Sequence, residues 1–210
     1  MLATVLFLAQ YLVASELADL GDGLAYLRVT SATASGHALQ SALAGPGPVV
    51  IDLRYAADGD DLPAILRPAA GVRPAPGNIF VLVSPATPAA VAEVISQWPK
   101  SVITLGPAGS NPAPMVAVKT TAEADRQAYD ALAAGTPLAT LVSGKIEKER
   151  YDEASLVQEF KNGNPDPEPP EPPDPTAAKP AGTTEKPPPL IDRVLQRAVH
   201  LHQALLALRR

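Results

Sequence analysis

Pro48-Val49-Val50-Ile51-Asp52-Leu53-Arg54 is the stretch that decides the fold. Its consecutive apolar residues favour a strand that is covered on both faces, and the strand ends in the charged residues Asp52 and Arg54. Similar apolar runs occur at Gly23–Val29 and Asn78–Ser84, and segments of helical periodicity separate the three runs. Strands that alternate with helices along the chain are typical of an α/β domain, which is the fold class that we predict.

Capping residues, prolines and apolar periodicity place the other elements. In chain order we predict a helix from Ser35 to Leu43, a short helix from Asp61 to Arg67, a helix from Thr87-Pro88 to Trp98, strands at Ser101–Leu105 and Met115–Val118, a helix from the capping box Thr120-Thr121-Ala122-Glu123 to Ala134, and a charged helix at Glu147–Lys161. The predicted α/β domain thus covers residues 16–161.

The first 15 residues form an apolar segment that ends in the small residues Val13-Ala14-Ser15 before Glu16. This pattern resembles the apolar region and cleavage site of a signal peptide, although no Lys or Arg precedes it. We therefore expect an exported, periplasmic protein. A buried N-terminal helix in a cytoplasmic protein is the alternative.

The C-terminal third of the chain has two further segments. Residues 162–189 contain eleven of the 24 prolines and almost no apolar residues, which predicts a disordered linker. Residues 190–210 are predicted to form an amphipathic helix, whose apolar residues follow each other in steps of three and four: Ile191, Val194, Ala198, Leu201, Leu205 and Leu208. This spacing resembles the a/d seam of a coiled coil but spans fewer than three heptads, and we predict that the chain self-associates or binds a partner helix through it. Docking onto the α/β domain and lying on a membrane surface are the alternatives.

Composition argues against several classes of function. The net charge of −5 argues against binding to nucleic acid, and the lack of cysteine excludes disulfides and thiolate zinc sites. No phosphate-binding loop or dinucleotide-binding glycine pattern occurs, so we assign no cofactor. His200 and His202 lie on different helix faces, and Asp58-Gly59-Asp60-Asp61 lacks the spacing of a calcium loop, so we assign no metal ligand either.

Three segments resemble the catalytic domain of the C-terminal processing, or tail-specific, serine peptidases of the ClpP/crotonase-like superfamily. They are Leu24-Ala25-Tyr26-Leu27-Arg28-Val29, Val50-Ile51-Asp52-Leu53-Arg54 and Thr87-Pro88-Ala89-Ala90-Val91-Ala92-Glu93. The family has a "gYlri" strand, a "liiDLRgNpGG" strand and a helix that starts "TASAAE". The resemblance covers about residues 21–120 and implies a core of repeated strand-strand-helix units.

The groups that this family uses for catalysis are missing from the matching positions. Ala89 or Ala90 stands where the nucleophilic serine belongs, and the loop Gly106–Pro112 has no lysine to act as the general base. Of the glycine loop that helps to form the oxyanion hole, Gly59 alone remains. The resemblance therefore implies a degenerate member of the family.

We assign no catalytic residue and interpret Asp52 and Arg54 as a structural ion pair. The sequence thus predicts a pseudoenzyme that serves as a binding or scaffold protein, with a peptide or protein as partner and membrane contact only through its termini. The alternative is a residual serine hydrolase with a relocated dyad, in which Ser84 or Ser110 pairs with Lys100 or Lys119.

Overall fold

The strands of the sheet lie side by side in the order in which they occur in the chain. The structure, a computed structural model, describes residues 17–58, 61–68, 79–144 and 190–208. In this part of the chain one sheet contains β1 (Ala18–Asp19), β2 (Ala25–Arg28), β3 (Val49–Asp52), β4 (Ile79–Leu82), β5 (Ile103–Pro107) and β6 (Val116–Val118). β1 is antiparallel to β2, and the other neighbouring strands are parallel. The predicted α/β class is confirmed.

Helices cover both faces of this sheet. The described helices are α1 (Ala32–Ala44), α2 (Leu62–Leu66), α3 (Ala89–Ser96), α4 (Ala122–Ala133), α5 (Leu138–Val142) and α6 (Arg193–Leu208). The first three pack on one face, where Leu39 of α1 and Val91 of α3 belong to the same buried cluster as Ile51. α4, α5 and α6 pack on the other face, where Leu195 of α6 joins a cluster with Phe80. Because successive side chains of a strand point to opposite faces, β3 contributes to both clusters.

Most predicted elements are present, and their differences from the prediction have local causes. α1 begins one turn before the predicted cap: Ser31 is its N-cap and accepts a hydrogen bond from the Ala34 N–H, whereas Ser35 is buried in the first turn. Asp61 stands at the N-cap position of α2, but its side chain makes no capping bond. β1 and α5 were not predicted, since a strand of two residues and a helix of five are too short for a periodic pattern.

The C-terminal helix packs against its own domain, which was one of the alternatives for this segment. Contacts divide the chain into one unit of Met1–Ser143 with Leu190–Arg210 and a second of Gly144–Pro189. In the first unit, α6 contacts β4, β5, β6 and α5. The Asp192 N–H donates to the carbonyl oxygen of Leu141 at 2.9 Å. The chain therefore leaves this unit after α5 and rejoins it beside α5.

The side of α6 that packs overlaps the predicted a/d seam without matching it. Its buried residues are Val194, Leu195, Gln196, Ala198, Val199 and His202. Of the seam, Val194 and Ala198 are buried and Leu201 and Leu205 pack partly against the same cluster, whereas Leu208 is 83% exposed. The apolar periodicity of the segment is thus used mainly within one domain.

Several predictions concern residues outside the described part of the chain. These are the signal-like segment 1–15, the charged helix 147–161 and the linker 162–189. Among the described residues, no helix has both the length and the apolar character needed to span a bilayer.

Candidate functional site

The carboxyl ends of the parallel strands are the first place to look for a site in this fold. In open α/β sheets, ligands bind in the crevice outside these strand ends. Here the ends of β2, β3 and β4 carry Arg28, Asp52 with Arg54, and Ser84. Arg54 and Ser84 are fully buried, so this edge is occupied by the protein's own side chains.

Arg54 uses all its hydrogen-bond donors inside the protein. A guanidinium has five N–H groups in a rigid fork. Arg54 Nε and Nη2 donate to the two carboxylate oxygens of Asp52 at 3.0 and 2.7 Å, and Nη1 donates to Asp125 at 2.7 Å. Nη1 and Nη2 also donate to the two oxygens of Asp192 at 3.0 and 2.7 Å. We call Arg54, Asp52, Asp125 and Asp192 the Arg54 cluster.

Each aspartate of the Arg54 cluster is positioned by a different element. Asp52 is the last residue of β3, and its Oδ2 also accepts a hydrogen bond from the Tyr26 hydroxyl of the neighbouring strand β2 at 2.8 Å. Asp125 lies in the first turn of α4 and accepts a hydrogen bond from the Tyr55 hydroxyl at 2.8 Å.

Asp192 precedes α6 and acts as its cap. Its Oδ1 accepts a hydrogen bond from the Leu195 N–H at 2.9 Å, while both of its oxygens bind Arg54. A capping carboxylate satisfies one of the free N–H groups of the first turn and interacts favourably with the helix dipole. The same carboxylate therefore starts the helix and attaches it to the sheet.

The Arg54 cluster contains more negative than positive charge. Three carboxylates surround one guanidinium, and the side chains of the ion pairs are at most 1% exposed. The next cation is Arg28, whose guanidinium carbon lies 3.7 Å from the centre of the Tyr129 ring. Tyr129 in turn packs against Tyr55, with ring centres 4.7 Å apart. Tyr129 of α4 therefore contacts both Arg28 and Tyr55.

Burial and the neighbouring charges shift the pKa values of three groups in and around the Arg54 cluster. Burial raises the pKa of Asp125, and the neighbouring Asp192 adds to this, although Arg54 and the Tyr55 hydroxyl act in the opposite direction. Burial lowers the pKa of Arg54, but Asp52 and Asp192 outweigh it, so the pKa is raised well above its ordinary value. Burial and Asp52 together raise the pKa of Tyr26. Asp125, Arg54 and Tyr26 therefore hold their protons more firmly than the same groups in water.

The serines proposed for a relocated dyad bond to backbone groups. Ser84 Oγ donates to the carbonyl oxygen of Arg54 and accepts from the Ala86 N–H. Ser110 Oγ donates to the carbonyl oxygen of Pro107 at 2.8 Å, and both serines are buried. Their hydroxyl groups stabilise the loops after β4 and β5.

The other positions of the family resemblance have local structural roles. Ala89 and Ala90 are the exposed first residues of α3, behind Pro88 at the N-cap. A side chain at Gly106 would collide with the carbonyl oxygen of Val83, so this glycine allows β5 to approach the end of β4. Gly59 lies outside the described residues.

A groove of about 360 Å³ lies elsewhere on the domain. Its walls include Ile95, Trp98, Pro99, Val102 and Met115. No residue of the Arg54 cluster lines it, and neither do Ser84 and Ser110, but Lys100 of the alternative dyad and Ser96 do. In the described ranges, no group of three or more His, Cys, Asp or Glu side chains has an arrangement that would hold a metal ion.

Comparisons with known proteins found no relative for this chain. No protein-family model matches, and searches of curated proteins and of solved structures returned no match. The assignment of function therefore depends on the geometry of the chain itself.

The Asp52–Arg54 ion pair was predicted from the sequence and is present in the structure. The ion pairs of Arg54 with Asp125 and Asp192 were not predicted. Asp125 is the fourth residue after Thr121 and lies in a predicted helix that contains residues of both charges. Asp192 directly precedes the C-terminal helical pattern, so it had the signal of an N-cap. Neither position by itself indicates which cation the carboxylate will meet.

Proposed function

We propose that this protein is a non-catalytic binding or scaffold domain, in which a structural ion cluster occupies the edge of the sheet where related folds hold a site. The saturation of Arg54 is the observation that carries the proposal. Its N–H groups are all bound to the protein's own carboxylates, and its side chain is fully buried. No donor remains for a substrate, because a guanidinium has five.

The residues around this edge support the same proposal. Ser84 and Ser110 donate to carbonyl oxygens and not to a base, whereas an activated serine needs a base within hydrogen-bond reach. The N-terminus of α3 offers Ala89 and Ala90, which have no nucleophilic group. In the resemblance to tail-specific peptidases, these are the positions at which chemistry has been lost, and we propose the ClpP/crotonase-like ancestry on that basis.

The path of the chain is consistent with a scaffold. The Asp192 N–H bonds to Leu141 O, and the Gln196 side-chain amide bonds to Val142 O, both at 2.9 Å. A short turn would be enough to join α5 to α6. The length of the intervening segment is therefore not needed for the fold of the domain, and it can serve contacts with other molecules.

A fluorophosphonate probe tests the absence of serine chemistry. The folded full-length chain should remain unlabelled under conditions in which an active serine hydrolase, added to the same tube, is labelled completely. The reason is that neither buried serine is paired with a base.

Labelling that is lost in Ser84→Ala or Ser110→Ala would contradict the proposal and support the residual hydrolase instead. Ser143→Ala is the matched control, since the exposed Ser143 hydroxyl donates to Thr140 O and Ser143 belongs to neither candidate dyad.

A further inference from the structure

The surface on which α6 packs is built from groups that are far from α6 in the chain. It consists of an apolar floor with Phe80 and Leu105, the cation Arg54 at one end, and Asp22 at the other, where Gln203 Nε2 donates to Asp22 Oδ2 at 3.1 Å. We call this surface the α6 dock. It binds α6 only through non-covalent contacts.

We propose that the α6 dock also accepts α6 of a second copy of this chain, so that two copies assemble by exchanging their C-terminal helices. This inference rests on the scaffold function proposed above and names a partner for it. An exchanged helix makes the same contacts as the original one, because the dock is identical in every copy.

The dock selects for a helix of particular chemistry. Arg54 holds the Asp192 carboxylate through two parallel N–H···O bonds, a geometry that favours a carboxylate at the N-cap. Val194, Leu195, Ala198 and Val199 then enter the apolar floor. A partner helix must carry a capping aspartate followed by this apolar pattern, and α6 itself satisfies both conditions.

The length of the connection reduces the preference for the chain's own helix. Since Asp192 N lies 2.9 Å from Leu141 O, the helix could be joined to α5 by a turn, but residues 145–189 lie between them. The effective concentration of a tethered group falls at about the −3/2 power of tether length once the tether exceeds the span. A long connection therefore lowers the concentration at which another copy competes.

The absence of cysteine from the chain allows a direct test by cysteine cross-linking. Asp22 and Gln203 are exposed and the ends of their side chains are in contact, so cysteines at these positions lie within reach of a short bismaleimide when the helix is docked. One full-length copy carries Asp22→Cys, and a second copy of different mass carries Gln203→Cys. The copies are mixed at about 1 mM, within the range of effective concentrations of tethered groups, and treated with the bismaleimide.

We expect a cross-linked pair of the two copies, in several-fold higher yield than in a control mixture of Asp22→Cys with Arg193→Cys. Arg193 is exposed on the same helix, but it lies ten residues before Gln203, about 15 Å along the axis.

Equal yields in the test and control mixtures would overturn the proposal. A copy with both Asp22→Cys and Gln203→Cys should be cross-linked internally by the bismaleimide at low protein concentration, which shows that the variants fold with α6 docked. Failure of this internal cross-link would contradict the dock itself. Neither result affects labelling by the fluorophosphonate probe, so the test of the scaffold function stays separate.

Discussion

A buried guanidinium needs an acceptor for every N–H group, since each buried donor that stays unpaired costs about 1–3 kcal/mol. Arg54 satisfies this requirement with Asp52, Asp125 and Asp192, each of which is also held by a neighbouring tyrosine hydroxyl or backbone N–H. At the scale of single residues, the Arg54 cluster is a structural feature whose members depend on each other.

Replacing Arg54 by leucine should lower the free energy of unfolding by about 3–5 kcal/mol, because three carboxylates lose their cation in a buried site. Arg54→Lys should also be destabilising, since an ammonium has three donors and does not match the fork geometry. Urea unfolding followed by circular dichroism measures both. Arg126→Leu is the control: Arg126 pairs with Asp130 on the surface of α4, so we expect no resolvable change. Unchanged stability of both Arg54 variants would show that the cluster is not structural.

Asp125 should make the stability of the protein depend on pH. Burial raises its pKa in the folded protein, so its contribution to stability is fully present below the ordinary aspartate pKa of about 4 and is lost as pH rises through the raised pKa. Asp125→Asn should remove this decrease of the free energy of unfolding with rising pH. The amide is uncharged and can still bond to Arg54 and the Tyr55 hydroxyl. Urea unfolding at a series of pH values tests this, with the exposed Asp130→Asn as control. If the free energy of unfolding fell more steeply with pH in Asp125→Asn than in the unmodified protein, the expected sign would be contradicted.

At the scale of secondary-structure elements, local sequence explains where helices begin. Thr121 caps α4, one residue after the cap position of the predicted capping box, with its Oγ1 accepting from the Ala124 N–H at 3.1 Å. Ser31 and Ser35 compete as caps of α1, and sequence favoured the wrong one because both precede helical residues. The packing of Ser35 at 0% exposure decides the matter, and that is a tertiary property.

The docking of α6 can be tested with a single substitution, because Asp192 both caps this helix and binds it to Arg54. Asp192→Ala removes the bonds to Arg54 and to the Leu195 N–H, so α6 should undock more often than in the unmodified protein. Loss of a buried ion-pair partner costs about 3–5 kcal/mol. Hydrogen exchange should then be faster at the amides of α6 than at those of α1. Arg193→Ala, at an exposed neighbouring position, should leave these rates unchanged. Equal protection of α6 in both variants would refute the anchoring role of Asp192.

At the scale of the whole molecule, the fold brings together parts of the chain that sequence analysis kept separate. The predicted α/β domain ended at residue 161, and the C-terminal helix was predicted to associate with another chain. In the structure α6 completes the apolar layer on one face of the sheet, together with Phe80 and Leu105. The sequence contains the apolar pattern of the helix, but an apolar pattern does not specify which surface it will cover.

Replacing residues 145–189 by about six Gly and Ser residues should preserve the fold, since Leu141 O and Asp192 N are hydrogen-bonded neighbours. The shorter loop should raise the free energy of unfolding by about 2 kcal/mol, because the entropy lost on closing a loop increases with its length. Urea unfolding measures this change. The same variant should form fewer cross-links between copies, because its own helix is tethered more closely to the dock. A variant that unfolds or loses the protection of α6 amides would show that the long segment is needed for the fold.

The sequence by itself determined the α/β class, the order of the main strands and helices, and the ion pair between Asp52 and Arg54. These features depend on local periodicity, on caps and on neighbouring residues, so a single stretch of chain contains the information. Tertiary structure alone decided that Asp125 and Asp192 also bind Arg54, across separations of 71 and 138 residues. The physical reason is that a buried guanidinium donates to any well-placed carboxylate. Only the packing of α4 and α6 on the sheet brings Asp125 and Asp192 within reach of Arg54.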